Sequence, residues 1–268
     1  MKYRWTIAPP EPARAADLAA RLGIAPLVAQ CLLNREIEAP CQVAQFLEPR
    51  LKHLADPLLL PNMAAAVERL VWAREKQETL AIFGDYDVDG VTSTALLVEV
   101  LRALGWRLAY ALPHRMDEGY GLSQEAVENC VKRFTPSLVL AVDCGSTACG
   151  TIGWLKERGV DVIVLDHHQV CDPLPDARAL VNPRLADGGA GGESHFTELC
   201  SAGLAFKLAH ALVKYGRQAG WPAAERFDLR PLLDLVALGT IADVVPLTGE
   251  NRILVAAGLK RLEATTRP

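Results

Sequence analysis

The sequence predicts an α/β protein whose parallel β-sheet carries helices on both faces, with a helical N-terminal extension and a helical C-terminal end. From residue 64 onward, short apolar runs alternate with longer amphipathic stretches, the pattern of strands joined by crossover helices. The strand-like runs are apolar at consecutive positions, which indicates burial on both faces of a parallel sheet. Hydrophobic residues make up 50% of the 268 residues, enough for a large core.

The predicted elements follow one another in a regular order. Residues 1–60 contain short amphipathic stretches separated by prolines, so we predict a helical extension there. The elements predicted for the sheet region are helix 64–77, strand 79–84, helix 91–105, strand 107–112, helix 123–134, strand 137–143, helix 151–159, strand 160–166 and strand 178–183. A glycine-rich loop at 185–198 precedes helices predicted over 200–216, 231–245 and 251–264. We therefore predict two domains, 1–60 and 61–268.

The composition and the absence of some motifs argue against several functional classes. The net charge of -4 argues against binding to nucleic acid by charge alone. The seven cysteines form no C-x-x-C pair, which indicates a reducing compartment and argues against a zinc ribbon. No signal segment or run of about 18 apolar residues occurs, so we expect a cytoplasmic protein. The sequence contains neither G-x-G-x-x-G nor a Walker A motif, which excludes the usual nucleotide-cofactor sites.

Acidic residues cluster where three of the predicted strands end. The acidic and histidine residues at these ends are Asp85, Asp87 and Asp89 after strand 79–84, Asp143 at the end of strand 137–143, and Asp166, His167 and His168 at the end of strand 160–166. Because parallel strands present their carboxyl ends at one edge of a sheet, we expect these side chains to lie close together. Asp243 lies in an apolar helical stretch, where a buried carboxylate needs a partner.

A cluster of this kind predicts a divalent metal site. Two carboxylates ~4 Å apart repel by roughly 4 kcal/mol near a protein surface, so cations are needed to neutralise the group. Carboxylate and imidazole ligands without a thiolate fit Mn²⁺ or Mg²⁺, and the histidine favours manganese. One or two ions fit this number of acids, and a pair about 3.5–4 Å apart suits in-line hydrolysis of a phosphoester or phosphoanhydride. We therefore predict phosphoryl hydrolysis.

Other interpretations of the same residues remain open. D-x-D-x-D-G opens an EF-hand loop, but the twelfth position is Leu96 and a strand is predicted before it. Asp85 could instead cap the helix predicted to begin near Val91, and Asp143 could cap the turn that follows it. Each histidine alone is more often structural than a ligand. Cys144 suggests a thiol nucleophile, but no recognisable pattern places a base beside it.

Four segments resemble the motifs of the DHH phosphoesterase superfamily: "GDYDVDG", "VDCGS", "LDHH" and "GTIADVVPL". Within it, "PHRMDEGYGLS" and "VNPR" resemble the RecJ family of single-strand-specific exonucleases, so the resemblance covers most of residues 50–250. Phe83 stands where small-nucleotide hydrolases of the superfamily commonly carry a histidine, which favours the RecJ branch. The resemblance implies that residues 61–268 form a DHH catalytic domain, without the DHHA1 and OB-fold domains that follow it in that family.

The resemblance also implies a role for each matching residue. The implied metal ligands, for one or two Mn²⁺ or Mg²⁺ ions, are Asp85, Asp87, Asp89, Asp143, His167 and Asp243. The implied catalytic residues are Asp89, His168 and Asp166, the last of which orients the histidines. The implied substrate-binding residues are Arg115, Tyr120, Gly121 and His168.

The function implied by the resemblance is a metal-dependent 5′–3′ exonuclease that acts on single-stranded DNA in recombination and repair, with a metal-activated water as nucleophile. Single-stranded DNA is then the substrate, repair proteins such as a single-strand-binding protein or a helicase are partners, and no membrane is involved. Two alternatives stay open: a DHH-type phosphohydrolase of small nucleotides or oligonucleotides, and a non-catalytic RecJ-like scaffold. The complete set of acids and both histidines argues against the scaffold.

Overall fold

The computed structural model describes residues 6–114, 119, 121–188, 196 and 198–267. The chain divides into two compact units, Met1–Arg50 and Leu51–Pro268. The assignment of 1–60 and 61–268 as separate functional domains stays a prediction.

The first unit is helical. Its helices are α1 (Pro12–Leu22), α2 (Pro26–Leu33) and α3 (Pro40–Leu47). Each begins with proline, which has no N–H to leave unsatisfied in a first helical turn. Their apolar faces form a small core of their own. No single described helix is long and apolar enough to cross a membrane, although α1 and α2, bent by 113° at their junction, pass that test of length and composition as a pair.

The second unit contains all the described strands and the remaining helices. The strands are β1 (Leu80–Gly84), β2 (Leu108–Ala111), β3 (Leu138–Val142), β4 (Asp161–Leu165) and β5 (Ala179–Val181). The helices are α4 (Met63–Glu75), α5 (Val88–Ala103), α6 (Gln124–Phe134), α7 (Cys149–Glu157), α8 (Ser201–Gln218), α9 (Pro222–Arg226), α10 (Leu233–Ala242) and α11 (Gly249–Leu262). The predicted fold class is confirmed.

The strands form one five-stranded sheet in the order β2-β1-β3-β4-β5, and every neighbouring pair is parallel. From β1 the chain first crosses to β2 at one edge and then returns to β3 on the other side of β1. The strand order therefore reverses between β1 and β3, which makes the carboxyl ends of these strands a topological switch point, the usual place for a ligand in such a sheet.

Helices cover both faces of the sheet because each strand is apolar on both sides. In β1, Leu80 and Ile82 pack with α4, α5, α8 and α10, whereas Ala81 and Phe83 pack with α6 and α7. All four side chains are almost completely buried. This burial explains the continuous apolar runs of the sequence.

Most predicted helices differ from the structure by one to three residues at an end, and two of these differences concern acids of the predicted site. The helix predicted over 91–105 begins earlier, at Val88, because Asp87 caps it. The helix predicted over 231–245 ends at Ala242, so Asp243 follows the helix rather than interrupting it. A 3₁₀ segment, Pro183–Gly188, includes the start of the glycine-rich loop predicted at 185–198, and residues 189–195 and 197 lie outside the described part of the chain.

Candidate metal and catalytic centre

The three aspartates that follow β1 have different environments. Asp85 is completely buried, and its Oδ1 accepts a hydrogen bond from the Tyr86 N–H at 2.7 Å. Asp87 is exposed and caps α5, because its Oδ1 accepts the Gly90 N–H at 2.9 Å. Capping of α5 by Asp85 is thereby excluded. The EF-hand alternative is excluded too, since a strand precedes the segment.

Asp89 lies in the first turn of α5 and is almost fully buried. Its two carboxylate oxygens accept hydrogen bonds from the first backbone N–H groups of α8: Oδ2 from Ser201 at 2.7 Å and Oδ1 from Ala202 at 2.8 Å. The N-terminus of a helix carries orphan donors and a partial positive charge, both of which stabilise an anion. One aspartate thus fixes α5 to α8 at the edge of the sheet.

Asp143 follows β3 and is also buried. Its backbone adopts the left-handed region, with φ +64°, which is uncommon for a residue other than glycine. Its Oδ1 accepts a hydrogen bond from the Ser201 hydroxyl at 2.8 Å, while its Oδ2 is buried without a partner. Ser201 therefore contacts two acids, because its N–H binds Asp89 and its hydroxyl binds Asp143.

Asp166, at the end of β4, organises the two histidines that follow it. Its Oδ1 accepts the backbone N–H groups of His167 and His168, at 2.8 and 3.2 Å, and lies 2.8 Å from His168 Nδ1. Its Oδ2 accepts the Ser146 N–H at 3.0 Å. Asn182 donates to both the Ser146 hydroxyl and the His168 carbonyl, at 2.9 Å each. The carboxylate of Asp166 therefore connects the residues that follow β4 with Ser146, which follows β3.

His167 Nε2 is the point at which acids from separate segments meet. It lies 3.7 Å from Asp89 Oδ2, 3.5 Å from Asp143 Oδ1 and 3.6 Å from Asp243 Oδ2. These distances are too long for hydrogen bonds. Two ligands of one cation, each about 2.1 Å from it, lie at most ~4.2 Å apart, so the spacing fits a shared ion.

The buried atoms without a hydrogen-bond partner test this fit independently. His167 Nε2, Asp143 Oδ2, Asp243 Oδ2 and Asp85 Oδ2 are all buried and unpartnered. A buried polar atom without a partner costs about 1–3 kcal/mol, and three of these atoms belong to His167, Asp143 and Asp243, whose ligand atoms lie close together, so a shared ligand would satisfy them. The residues present therefore fit a divalent cation.

Two sets of ligand atoms lie within 4.8 Å of one another, and both include His167. One set contains Asp89 and Asp243, and the other contains Asp143 and His168. Asp85 and Asp87 belong to neither set, although the charge of Asp87 adds to the effect of burial in raising the pKa values of Asp85, Asp143 and Asp243. The metal-ligand role of Asp85 and Asp87 stays a prediction.

Without a cation, the carboxylates of this cluster resist ionisation. Burial, followed by the charges of Asp89 and Asp87, raises the pKa of Asp143 to about 10. Burial is also the main cause that raises the pKa values of Asp85, Asp89 and Asp243. A bound cation reverses this preference because it stabilises the carboxylates.

Asp166 and His168 behave in the opposite way because they form an ion pair. Burial by itself would raise the pKa of Asp166, but hydrogen bonds from His168 and Ser146 lower it to about 2. The hydrogen bond to Asp166 raises the pKa of His168 to about 9, despite partial burial. His168 is therefore a cation at neutral pH, and 43% of its side chain is exposed.

A family model decides the classification. The model described as "DHH family, N-terminal domain" matches residues 79–240, which include each strand of the sheet and seven of the eight acids and histidines of the centre. The chain belongs to the DHH family. Asp243 is the eighth residue and lies three positions beyond the matched segment.

Individual relatives narrow the similarity within the DHH family. The chain is 39% identical over 266 residues to the "Single-stranded-DNA-specific exonuclease RecJ" of Bacillus subtilis, covering 99% of this chain and 32% of that protein. It is 42% identical over 224 residues to RecJ of Dickeya dadantii, covering 82% of this chain and 38% of that protein. The chain thus spans about a third to two fifths of the length of these relatives.

A solved structure agrees with these matches. RecJ of Thermus thermophilus in complex with Mn²⁺ matches with a TM-score of 0.75 and 32% identity, covering 97% of this chain and 35% of that chain. The same protein in complex with Mg²⁺ matches with a TM-score of 0.62 and 30% identity, covering 97% and 31%.

Several predicted residues fall outside the centre or outside the described chain. Arg115 and Tyr120 lie outside the described residues, so their substrate role stays a prediction. Gly121 is described: its φ is +68°, and a Cβ there would lie 3.8 Å from Cys144 Cβ, next to Asp143. Burial raises the pKa of the Cys144 thiol well above its usual value, which argues against a thiolate nucleophile.

Sequence reasoning did not identify Ser201, Ser146 and Asn182 as parts of the centre. Ser201 stands at the start of a helix just after a glycine-rich loop, a position from which a hydroxyl and a free N–H can reach an anion. This position is the sequence feature that could have identified Ser201. Ser146 and Asn182 act on Asp166 and His168 through single hydrogen bonds, which leave no pattern in a sequence.

Proposed function

We propose that this chain carries the catalytic centre of a metal-dependent exonuclease that degrades single-stranded DNA from its 5′ end. The observation that supports this most is the meeting of His167 Nε2 with carboxylates of Asp89, Asp143 and Asp243 at 3.5–3.7 Å. Four residues from four segments, with unpartnered buried atoms among them, form a site for Mn²⁺ or Mg²⁺.

A bound divalent ion would supply a hydroxide nucleophile near neutral pH and would stabilise charge on a phosphate. Asp89, Asp143, His167 and Asp243 would hold the ion, and Asp85 and Asp87 would add negative charge beside it. Hydrogen bonds from α8 keep the Asp89 and Asp143 carboxylates in place before any ligand arrives. This preorganisation avoids a cost of rearrangement during the reaction.

His168 is proposed to act on the substrate. Asp166 holds its Nδ1, so Nε2 is the nitrogen available to a phosphate oxygen. The imidazolium would stabilise negative charge that develops on the scissile phosphate or assist departure of the leaving oxygen. Asp166 orients this histidine and keeps it protonated, and Arg115, Tyr120 and Gly121 are proposed to contact the strand.

The substrate class comes from the relatives. The proteins of Bacillus subtilis and Dickeya dadantii are named as single-stranded-DNA-specific exonucleases, and the Thermus thermophilus protein binds Mn²⁺ and Mg²⁺. We extend single-stranded DNA and these cations to this chain, together with a role in repair and recombination. The proposed partners are other repair proteins, such as a single-strand-binding protein or a helicase, and the proposed compartment is the cytoplasm.

The test is a comparison of two substrates in the presence of Mn²⁺. A 5′-labelled single-stranded oligonucleotide should release labelled mononucleotides at early times, whereas the same oligonucleotide in a duplex should not. Hydrolysis of dinucleotides without degradation of the oligonucleotide would instead assign the chain to the small-nucleotide phosphohydrolases. Calorimetry that shows no uptake of Mn²⁺ would support the non-catalytic scaffold.

A matched control variant distinguishes the effect of losing a carboxylate of the centre from the effect of losing any carboxylate. Asp143→Asn should abolish release of mononucleotides, whereas Asp176→Asn should leave it unchanged. Asp176 pairs with Lys156 at the surface and its side chain is 74% exposed, so this control removes one carboxylate without affecting the centre. If Asp143→Asn retained the activity of the unmodified chain, the proposed function would be wrong.

A further inference from the structure

Two cysteines meet beside the centre without taking part in it. Cys149 is the first residue of α7, which follows β3, and Cys171 lies in the segment after β4. In a parallel β-α-β unit, the start of the crossover helix and the segment after the second strand both lie at the carboxyl edge of the sheet. The fold therefore brings together two residues that are 22 positions apart.

The two sulfur atoms are in direct contact. Cys149 Sγ lies 3.2 Å from Cys171 Sγ, and the thiols lie 3.5 and 3.2 Å, respectively, from the same acceptor, the Pro173 carbonyl oxygen. Both residues are partly exposed, so reagents in solution can reach them. Among the other cysteines, Cys31 and Cys41 are exposed and belong to the first unit. They therefore offer a matched comparison.

We propose that Cys149 and Cys171 are a modification site. A small disulfide, such as oxidised glutathione, oxidises the two thiols to a reversible Cys149–Cys171 disulfide. The thiolate of one cysteine attacks glutathione disulfide, forms a mixed disulfide and releases one glutathione thiol. The second cysteine then attacks the protein sulfur of that mixed disulfide, forms the Cys149–Cys171 bond and releases the second glutathione. The protein loses two protons and two electrons, and glutathione disulfide becomes two thiols.

The cross-link would constrain the part of the chain that carries the histidines. The segment it closes, residues 149–171, contains α7, β4 and the residues Asp166, His167 and His168. The backbone of Cys171 already donates to the Ser146 carbonyl at 3.4 Å, and the Ser146 N–H binds Asp166. Closing a loop removes freedom mainly from the unfolded chain, so oxidation should stabilise the fold around the centre.

The test uses the whole 268-residue chain. The contact with Cys171, followed by burial, raises the pKa of the Cys149 thiol, so the chain is treated with oxidised glutathione at about pH 8 to provide thiolate. Remaining thiols are blocked, and the chain is digested with trypsin without reduction. We expect a linked species of peptides 134–156 and 159–178, which dithiothreitol separates. The melting temperature of the oxidised chain should exceed that of the reduced chain by at least ~4 °C.

Cysteine variants distinguish the Cys149–Cys171 cross-link from oxidation of other cysteines. Cys149→Ser and Cys171→Ser should each lose the linked species and the rise in melting temperature, whereas the double variant Cys31→Ser/Cys41→Ser should keep both. The proposal is overturned if the folded chain carries glutathione on either cysteine without forming the link, or if both thiols remain unreacted. The readouts are mass and melting temperature, so neither depends on nuclease activity.

Discussion

At the scale of single residues, the aspartates of the centre differ in what they do for the fold. Asp89 accepts two backbone N–H groups, whereas Asp143 keeps one oxygen buried and unpartnered. Burial raises the pKa of both acids, but only Asp89 accepts two buried backbone N–H groups, which its removal would leave without an acceptor. Removing Asp89 should therefore destabilise the metal-free protein, whereas removing the Asp143 carboxylate should not.

Asp143→Asn is the first prediction. Asparagine preserves the shape, tolerates the left-handed φ of +64° better than alanine and can still accept the Ser201 hydroxyl. Because the variant removes a carboxylate whose pKa is raised to about 10, the melting temperature in EDTA should stay equal or rise. Mn²⁺ affinity, measured by calorimetry, should fall more than ~100-fold, since the loss of residues that only support ligands already costs about 10–100-fold. A lower melting temperature in EDTA would contradict this account.

The second prediction concerns the ion pair of Asp166 and His168. The pKa of Asp166 is lowered to about 2, so its stabilising effect is present above about pH 4 and is lost as the pH falls through 2. The pKa of His168 is raised to about 9, so its stabilising effect is present below about pH 6.5 and is lost as the pH rises through 9. The pair should therefore stabilise the metal-free protein most between about pH 4 and 6.5.

A titration by NMR in EDTA measures this pair directly. In the unmodified chain, the His168 imidazole should titrate near pH 9, and in Asp166→Asn it should titrate at least ~1 unit lower, because the neutral amide stabilises imidazolium less. The matched control is Asp176→Asn, which should leave the His168 titration unchanged. A His168 pKa near 6.5 in the unmodified chain would show that the ion pair does not form.

At the scale of secondary structure elements, Asp89 connects α5 to the N-terminus of α8. The third prediction is that Asp89→Ala destabilises the metal-free protein by about 1–3 kcal/mol, because two buried N–H groups lose their acceptor. Urea unfolding in EDTA checks this value. Asp143→Asn provides the comparison: it removes another buried acid of the same centre, yet should cost nothing. If Asp89→Ala were as stable as the unmodified chain, the two hydrogen bonds from α8 to Asp89 would contribute no stability, and this prediction would be wrong.

The same elements show which parts of the fold and of the centre could be predicted from the sequence. Every strand of the sheet and its parallel arrangement were predicted, because strands buried on both faces leave continuous apolar runs. The acids at the strand ends were predicted because the sheet order places those ends together. The exact start of α5 was not predicted, since Asp85 and Asp87 are equally good caps by residue type. Contacts of Ser201 depend on where a distant helix packs, which no local pattern encodes.

At the scale of the whole second unit, a buried ion pair joins its two ends to α8. Lys207 in α8 is fully buried and pairs with Glu250 in α11 at 2.7 Å. The backbone of Ala55, near the start of this unit, donates to Glu250 at 2.6 Å and accepts from Lys207 at 2.8 Å. Burial lowers the pKa of Lys207, and the charge of Glu250 opposes that effect. The same helix α8 supplies Ser201 to the centre, so this pair helps to hold the helix that positions the centre.

Removing one partner of this pair should be far more harmful than replacing both. Glu250→Ala leaves an uncompensated buried ammonium group and the Ala55 N–H without its acceptor, so it should destabilise the chain by about 3–5 kcal/mol. Lys207→Met combined with Glu250→Leu removes both charges at similar volume and should cost clearly less than Glu250→Ala alone. Asp176→Ala, which breaks an exposed pair, should cost less than ~1 kcal/mol and serves as the control. The free energy of unfolding of each variant is measured by urea unfolding in EDTA.

If the double variant were as unstable as Glu250→Ala, the loss of packing between α8 and α11, rather than the unpaired charge, would be the cause of the destabilisation. The account of this ion pair would then be wrong.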